Sequence, residues 1–273
     1  MRKAVFPVAG YGTRMLPVTK SIPKEMLPIV DKPAIHYTVE EAARSGFDWI
    51  LFVTSRDKEP IINYFDRDTE LEAILRSKGK IEMAEQIKTL SEMVKTFSVR
   101  QGIPMGLGHA VLQAKEFVKD ETFAVVLPDD IIVSEKPVLS QMVEVFMKTG
   151  KSVVALEEVP MDRVSAYGVI KGEEIEDGIF RVENLVEKPP VEEAPSNLAV
   201  IGRYILEPEI FSLLEKIPPG KGGEIQLTDA LSLLASRGRL VGYKFKGIRF
   251  DVGNPKGFLE ANLYIGQERG IEI

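Results

Sequence analysis

Two hydrophobic patterns alternate along this chain. Short apolar runs rich in valine, isoleucine and phenylalanine predict β-strands at 5–9, 49–54, 97–101, 123–127 and 152–157. Apolar positions at helical spacing predict helices at 35–43, 110–118, 139–147, 208–216, 225–236 and 254–267. Strands that alternate with helices are typical of β-α units. We therefore expect a mostly parallel sheet buried between helices, with ligands at the carboxyl ends of its strands.

Two segments depart from this alternation. Residues 57–96 are charged and carry apolar stripes at helical spacing, so we interpret them as a helical insertion packed on the domain edge or on another subunit, with a mobile lid as the alternative. The pattern at 167–188 predicts a β-hairpin that turns at Asp177-Gly178. No repeat, low-complexity segment or linker divides the chain. We therefore expect a single domain over 1–273 that closes with a C-terminal helix at 254–273.

Composition narrows the classes of protein that fit. The 273 residues are 44% hydrophobic, which suits one large core, and no apolar run reaches the ~18 residues that span a bilayer. The N-terminus lacks the apolar region of a signal peptide, so we expect a cytoplasmic protein with no membrane partner. The absence of cysteine excludes disulfides, thiolate metal sites and thiol catalysis. The net charge of -6 argues against a nucleic-acid partner, so an anionic substrate needs a local positive cluster.

The first candidate site is the loop after the first predicted strand, which contains Gly10, Gly12, Thr13 and Arg14. Two glycines let backbone N–H groups approach a phosphate, and the hydroxyl and guanidinium groups add donors. Such loops also occur in dinucleotide folds and in simple tight turns. The full G-x-G-x-x-G pattern fails at Met15, and no G-K-[ST] P-loop is present. The loop alone therefore leaves its ligand open.

Lysines and prolines interleave just after this loop, with prolines at 23, 28 and 33. Prolines restrict the backbone, so this segment can carry a lysine back over the loop at small entropic cost. We expect this role for Lys24. Lys20 and Lys32 are explained at least as well as solvated surface lysines.

A pair of acids, Asp129 and Asp130, follows the strand predicted at 123–127, where a cation with oxygen ligands is expected. Taken alone, such a pair is more often a turn or a helix cap. Histidine is scarce, with two in the chain, so we expect neither a histidine metal site nor a histidine general base. For His109 we favour a local structural role over ligand contact.

Together these segments resemble the signature of the sugar-1-phosphate nucleotidyltransferases. The loop and the lysine segment match it at 10–17 and 23–33. Further matches are Gln101-x-x-x-x-Gly106-Leu107-Gly108-His109-Ala110, Leu127-Pro128-Asp129-Asp130, Tyr167-Gly168-Val169, Val186-Glu187-Lys188-Pro189, Ile201-Gly202-Arg203-Tyr204 and Phe250-Asp251-Val252-Gly253. The matches run in order over nearly the whole chain. The resemblance implies an α/β, Rossmann-like three-layer fold with a mostly parallel mixed sheet, and it is strongest with the branch that converts UTP and glucose 1-phosphate to UDP-glucose and pyrophosphate.

The same resemblance implies roles for particular residues. The groups expected to neutralise phosphate charge are Arg14, Lys24 and Lys188, and the expected ligands of an Mg²⁺ cofactor are Asp129 and Asp251. The nucleotide-binding set is Ala9, Gly10, Gly12, Thr13, Glu25, Gln101 and Gly106, with the Gln101 amide on uracil. The sugar-phosphate set is Asp130, Tyr167, Gly168, Glu187, Lys188 and Gly202, with the Glu187 carboxylate on sugar hydroxyls.

Several alternatives stay open. Thymidylyltransferases run the same reaction with dTTP, and a ring methyl is a small distinction. A noncatalytic nucleotide-sugar binding protein would keep the fold without turnover. An NAD-dependent oxidoreductase fits poorly because the third glycine is missing. The sequence does not separate glucose from galactose. The resemblance also implies a homo-dimer or homo-tetramer, with 57–96 or the C-terminal helix as contacts.

Overall fold

A computed structural model describes residues 1–220 and 223–271, so the last two residues of the helix predicted at 254–273 lie outside the described residues. The strands are β1 (Lys3–Pro7), β2 (Pro28–Ile29), β3 (Lys32–Pro33), β4 (Trp49–Thr54), β5 (Lys95–Arg100), β6 (Phe123–Val126), β7 (Asp130–Val133), β8 (Ser152–Glu158), β9 (Gly168–Glu176), β10 (Ile179–Glu187), β11 (Leu198–Leu206), β12 (Leu240–Lys244) and β13 (Ile248–Asp251).

The helices follow the predicted order. They are α1 (Ala34–Arg44), α2 (Glu59–Phe65), α3 (Thr69–Ser77), α4 (Ile81–Glu92), α5 (Gly106–Leu112), α6 (Lys115–Val118), α7 (Val138–Thr149), α8 (Glu209–Leu214), α9 (Leu227–Ser236) and α10 (Pro255–Glu268). The helix predicted at 110–118 is therefore two short helices, α5 and α6. Across 1–220 and 223–271, no helix combines the length and apolar character that a membrane crossing needs.

Nine strands form one mixed sheet in the order β5-β4-β1-β6-β11-β8-β12-β10-β9. β1 pairs in parallel with β4 and β6. Strands β10 and β11 run against the other seven, because each pairs antiparallel with both neighbours. The α/β class and the mixed sheet are as predicted. Most strands share one direction, although four of the eight neighbouring pairs are antiparallel.

Helices cover both faces of this sheet. In β1, Ala4 and Phe6 pack in a core with α1, α2 and α7, whereas Val5 packs in a second core with α5, α8 and α9. Successive side chains of a strand point to opposite faces, so one strand serves both cores. A third, smaller core joins α10 to the β7–β13 pair.

The two irregular segments have definite structures. Residues 57–96 contain α2, α3 and α4, and α3 packs against α4. The hairpin predicted at 167–188 is β9 and β10, which form one edge of the nine-stranded sheet. Strands β11 and β12 lie inside the sheet, where the hydrophobic pattern predicted no strand.

A buried ion pair fixes the end of the sheet that carries the acids. Arg203 on β11 is 0% exposed, and its guanidinium donates to the Glu41 carboxylate on α1 at 2.7, 3.1 and 3.2 Å. The same group donates to the carbonyl oxygens of Leu127 and Asp130 at 3.1 and 2.7 Å. Arg203 thus ties down the loop that follows β6.

Candidate active site

The first loop packs against the lysine segment. Gly12 has φ 66°, a conformation that glycine adopts readily, and a Cβ there would lie 3.2 Å from both Lys24 Cβ and Thr19 Cγ2. The Thr19 hydroxyl donates to the Gly12 carbonyl oxygen at 2.9 Å. Thr13 and Arg14 follow in an exposed 3-10 turn. These contacts fix the loop and carry Arg14 toward the acids.

Two cations meet two carboxylates beside this loop. Lys24 Nζ donates to Asp129 Oδ2 at 2.6 Å, and Arg14 Nη2 lies 3.5 Å from the same oxygen. Arg14 Nη1 lies 3.4 Å from Asp251 Oδ2. A Cβ on Gly253 would lie 2.7 Å from Arg14 Nη2 and 2.8 Å from Asp129 Oδ2, so the chain passes this cluster where only glycine fits without a shift. The fold therefore assembles the cluster from the N-terminal loop, the end of β6 and the end of β13.

The charges in this cluster support one another. Burial alone would lower the pKa of Lys24 and raise the pKa of Asp129. The neighbouring charges together outweigh burial: Asp129 and Glu25 raise the pKa of Lys24, and Lys24 and Arg14 lower the pKa of Asp129. The carboxylates of Asp129 and Asp251 are the kind of donor that Mg²⁺ prefers, since it commonly binds one or two carboxylates plus phosphate oxygens. The Asp129 and Asp251 carboxylates are therefore suitable ligands for Mg²⁺.

Two cavities adjoin the first loop. The first, of about 390 Å³, is named the sugar-side cavity because it holds every residue predicted for the sugar phosphate or the metal: Asp129, Asp130, Tyr167, Gly168, Glu187, Lys188, Gly202 and Asp251. Arg14 and Gly106, which were predicted for other roles, line it as well. The base-side cavity, of about 600 Å³, holds Ala9, Gly10 and Gln101. Gly12, Thr13, Lys24 and Glu25 line neither of these two cavities. The predicted set is thus divided between two adjoining spaces.

Glu187 and Lys188 stand at one wall of the sugar-side cavity. Lys188 Nζ lies 3.3 Å from Glu187 Oε1, and the lysine side chain is 58% exposed. The Lys188 backbone has φ 45°, which side-chain-bearing residues rarely adopt, and its N–H donates to the Tyr167 carbonyl oxygen at 2.9 Å. This unusual turn directs successive side chains, a carboxylate and an ammonium group, to one cavity.

Asp130 is part of the cavity wall, with both carboxylate oxygens already bonded inside the protein. Oδ1 accepts from Arg249 Nη1 at 2.6 Å, and Oδ2 accepts from the Gly202 backbone N–H at 3.0 Å. Burial raises the pKa of Asp130, and the charge of Arg249 opposes that rise. Arg249 also donates to the Tyr167 hydroxyl at 3.0 Å and to Glu157 at 2.6 Å. Asp130 and Arg249 therefore organise this wall together.

Gln101 lies where β5 ends, at the edge of the base-side cavity, and is 5% exposed. Its Nε2 donates to the Gly106 carbonyl oxygen at 3.2 Å and lies 2.9 Å from His109 Nδ1. Gly106 has φ 91°, and a Cβ there would lie 2.9 Å from the Ile225 carbonyl oxygen. The His109 ring also contacts Gln113 at 3.2 Å, an arrangement that fits the expected local structural role.

Glu25, which we expected to contact nucleotide, lies beneath the first loop and is 2% exposed. Its Oε2 accepts from Lys58 Nζ at 2.8 Å, whereas its Oε1 is buried and has no hydrogen-bond partner among the described residues. A nucleotide contact by Glu25 stays a prediction. Lys58 itself lines the base-side cavity. Glu25 therefore affects that cavity through Lys58.

Several polar residues at the cavities were not identified by the sequence analysis, among them Lys58, Thr228 and Arg249. Lys58 stands at the start of a segment interpreted as an insertion, and Thr228 stands inside a predicted helix. Neither position has a spacing that signals a ligand. Arg249 precedes Asp251 by two residues, and that proximity to a matched motif was the available signal.

Comparisons with known proteins identify the family of this chain. A family model described as nucleotidyl transferase matches residues 3–268. The UTP–glucose-1-phosphate uridylyltransferase of Pseudomonas aeruginosa is 50% identical over 266 residues, which cover 97% of this chain and 95% of that protein.

Two solved structures superpose over almost the full length. A UDP-glucose pyrophosphorylase complexed with UDP-glucose has a TM-score of 0.89 at 47% identity, covering 98% of this chain and 99% of that chain. A UTP-bound UGPase from Acinetobacter baumannii has a TM-score of 0.91 at 43% identity, covering 98% and 94%. This chain therefore belongs to the nucleotidyl transferase family, where its near relatives are UTP–glucose-1-phosphate uridylyltransferases.

Proposed function

We propose that the protein transfers the uridylyl group of UTP to glucose 1-phosphate, giving UDP-glucose and pyrophosphate. The observation that carries this proposal is the meeting of Arg14 and Lys24 with Asp129 and Asp251, directly after a glycine loop and beside the cavity that holds Lys188. The similarity to a uridylyltransferase and to proteins solved with UTP and with UDP-glucose supports the choice of substrates.

The chemistry requires two anions to approach each other. An oxygen of the sugar phosphate forms a bond to the α-phosphorus of UTP, and the bond from that phosphorus to the oxygen bridging to the β-phosphate breaks. Two unit charges 4 Å apart repel by about 4 kcal/mol at an effective dielectric of 20. Lys188 offsets this repulsion when its ammonium group leaves Glu187, 3.3 Å away, for the sugar phosphate. Alignment and charge neutralisation supply most of the catalysis in such transfers.

Arg14 and Lys24 serve the triphosphate. Both side chains end on carboxylate oxygens, at 3.4 Å and 2.6 Å for the nearest contacts, and both can pass to the phosphates of UTP. There they stabilise the charge that builds on the departing pyrophosphate. Mg²⁺ held by Asp129 and Asp251 would neutralise charge near the α-phosphate.

The uracil lies in the base-side cavity in this proposal. The Gln101 amide can offer both an acceptor and a donor to the edge of a pyrimidine when its Nε2 gives up one of its contacts with the Gly106 carbonyl oxygen and His109 Nδ1. Backbone groups at Ala9 and Gly10 complete the contacts in this cavity, and Gly106, in the wall of the sugar-side cavity, adjoins them through its hydrogen bond with Gln101. The position of Ala9, Gly10 and Gln101 in one cavity wall supports this arrangement.

Pyrophosphate release measured for a grid of nucleoside triphosphates against sugar 1-phosphates tests the proposal. We expect the highest kcat/KM for UTP with glucose 1-phosphate. Faster turnover with dTTP would reassign the enzyme to thymidylyl transfer. Binding of UDP-glucose without turnover of any pair would indicate a noncatalytic binding protein.

A pair of variants separates the metal site from general charge effects. Asp129→Asn should abolish magnesium-supported turnover, because it removes one of two carboxylates at the cation cluster. Asp177→Asn is the matched control: it makes the same substitution on an exposed hairpin turn and should keep wild-type activity. Normal turnover by Asp129→Asn contradicts the metal assignment.

We also propose that the chain forms a homo-dimer or homo-tetramer. Apolar side chains are exposed on α3 and α4 at Ile74 and Ile81, and on α10 at Leu259 and Leu263. Exposed apolar faces of this kind are suited to subunit contacts. Sedimentation velocity that gives a monomer at all concentrations would remove this proposal.

A further inference from the structure

The Glu187 carboxylate has a second neighbour that the sequence did not reveal. Thr228, in the first turn of α9, donates from its hydroxyl to Glu187 Oε2 at 2.5 Å. The other oxygen, Oε1, lies 3.3 Å from Lys188 Nζ. All three residues line the sugar-side cavity. One carboxylate oxygen of Glu187 is therefore bonded to a helix, and the other lies beside the ammonium group of an exposed lysine.

The space around this contact leaves little freedom. A Cβ on Gly168 would lie 3.2 Å from Thr228 Oγ1 and 3.3 Å from Glu187 Oε2, so the Gly168 backbone packs closely against both atoms. Threonine is stiff at χ1, and its place in a helix restricts it further. Because a carboxylate cannot donate when ionised, the hydroxyl proton of Thr228 is committed to Glu187.

We propose that Thr228 is a positioning residue that sets the orientation of Glu187 for a hydroxyl group of the sugar. With Oε2 held by Thr228, Oε1 is presented as the acceptor for that hydroxyl once Lys188 turns to the phosphate. A carboxylate without this bond would rotate between orientations and meet the sugar less often in the correct one. The inference rests on the proposed function, since it assigns the sugar ligand to Glu187.

The same helix offers a matched control. Ser232 is one turn further along α9, and its hydroxyl donates to Asn184 Oδ1 on β10 at 2.5 Å. This bond joins the same helix to the same strand at the same length, but Asn184 and Ser232 do not line the sugar-side cavity. A purely structural effect of losing a helix-to-strand bond should therefore appear in both variants.

Steady-state kinetics of Thr228→Val, Thr228→Ser and Ser232→Ala test the proposal. We expect Thr228→Val to raise the KM for glucose 1-phosphate about tenfold, the size of one lost hydrogen bond to a charged group. Its KM for UTP and its kcat should stay within about twofold. Thr228→Ser keeps the donor and should restore the wild-type KM, and Ser232→Ala should match wild type for both substrates.

The outcomes separate this inference from the function on which it rests. A wild-type protein that fails to join UTP and glucose 1-phosphate overturns the proposed function. If wild type is active, an unchanged sugar-phosphate KM in Thr228→Val overturns the positioning role alone. The role is also refuted if Thr228→Ser is as impaired as Thr228→Val, or if Ser232→Ala shows the same rise in KM.

Discussion

Replacing Glu41 with alanine removes the counterion of the most deeply buried cation in the described residues. Arg203 is 0% exposed, and its Nε and Nη2 donate to the Glu41 carboxylate at 2.7, 3.1 and 3.2 Å. Glu41 also accepts from the Leu139 backbone N–H at 3.1 Å. The variant leaves a buried guanidinium group uncompensated and one backbone donor without this acceptor.

The expected cost is about 3–5 kcal/mol of unfolding free energy, the usual loss when one partner of a buried ion pair is removed. Native domains are stable by only about 5–15 kcal/mol, so the loss is large. The Glu41→Leu/Arg203→Met double variant should recover part of it, because it removes both charges and fills similar volume with apolar atoms. The recovery is incomplete, since the carbonyl oxygens of Leu127 and Asp130 and the Leu139 N–H each lose a hydrogen-bond partner. Recovery would separate the cost of an unpaired charge from the cost of lost packing.

Urea unfolding followed by circular dichroism measures these differences. Glu85→Ala is the control, because it breaks an exposed ion pair: the Arg76 side chain is 40% exposed and the Glu85 side chain is 51% exposed. This variant should lose under about 1 kcal/mol of unfolding free energy. A Glu41→Ala variant that loses no more unfolding free energy than Glu85→Ala would refute the reasoning. A double variant that is less stable than Glu41→Ala would also refute it.

Three further predictions follow from particular contacts. Burial, aided by the charge of Lys32, lowers the pKa of His36 to about 4 in the folded protein, against about 6.5 in the unfolded chain. The unfolded chain therefore binds more protons between these values, so the free energy of unfolding should rise by up to about 3 kcal/mol from pH 4 to pH 6.5 and then level off. His36→Asn should flatten that slope in urea unfolding, and an unchanged slope would contradict the assignment. Gly202→Ala should lose about 1–3 kcal/mol of unfolding free energy in the same assay, because its Cβ would lie 2.5 Å from Leu127 Cβ and 2.6 Å from Asp130 Oδ2. Wild-type stability would contradict this prediction, since it would show that Leu127 and Asp130 shift at no cost. Lys188→Ala should raise the KM for glucose 1-phosphate by about 10–100-fold with little change for UTP, and equal effects on both substrates would count against its role at the sugar phosphate.

Much of the fold follows from local pattern. The strand predicted at 49–54 is β4 at Trp49–Thr54, since a strand buried on both faces is a continuous apolar run. The position of the acids was also predictable, because residues that follow parallel strands gather at one edge of a sheet. The resemblance supplied Asp251 and Lys188, which a hydrophobic pattern cannot identify.

Strand β11 could not be predicted from the local hydrophobic pattern. It crosses the middle of the sheet with Gly202 and Arg203 inside it, two residues that argue against a central strand when read alone. The strand is stable because Glu41, from a distant helix, neutralises the arginine. The sequence does not reveal that pairing, since the partners are 162 positions apart.

The sequence alone predicted the strands β1, β4, β5, β6 and β8, the order of the helices outside 57–96, the glycine loop, and the chemical types of the site residues. It did not predict β2, β3 and β7. Tertiary structure decided which of those residues meet. Arg14 reaches Asp251 across 237 positions, Glu25 turns inward to Lys58, and Thr228 reaches Glu187 from another element. Each outcome depends on distances and burial set by the packing of whole elements, whereas a local pattern reports only which face of its own element a residue occupies.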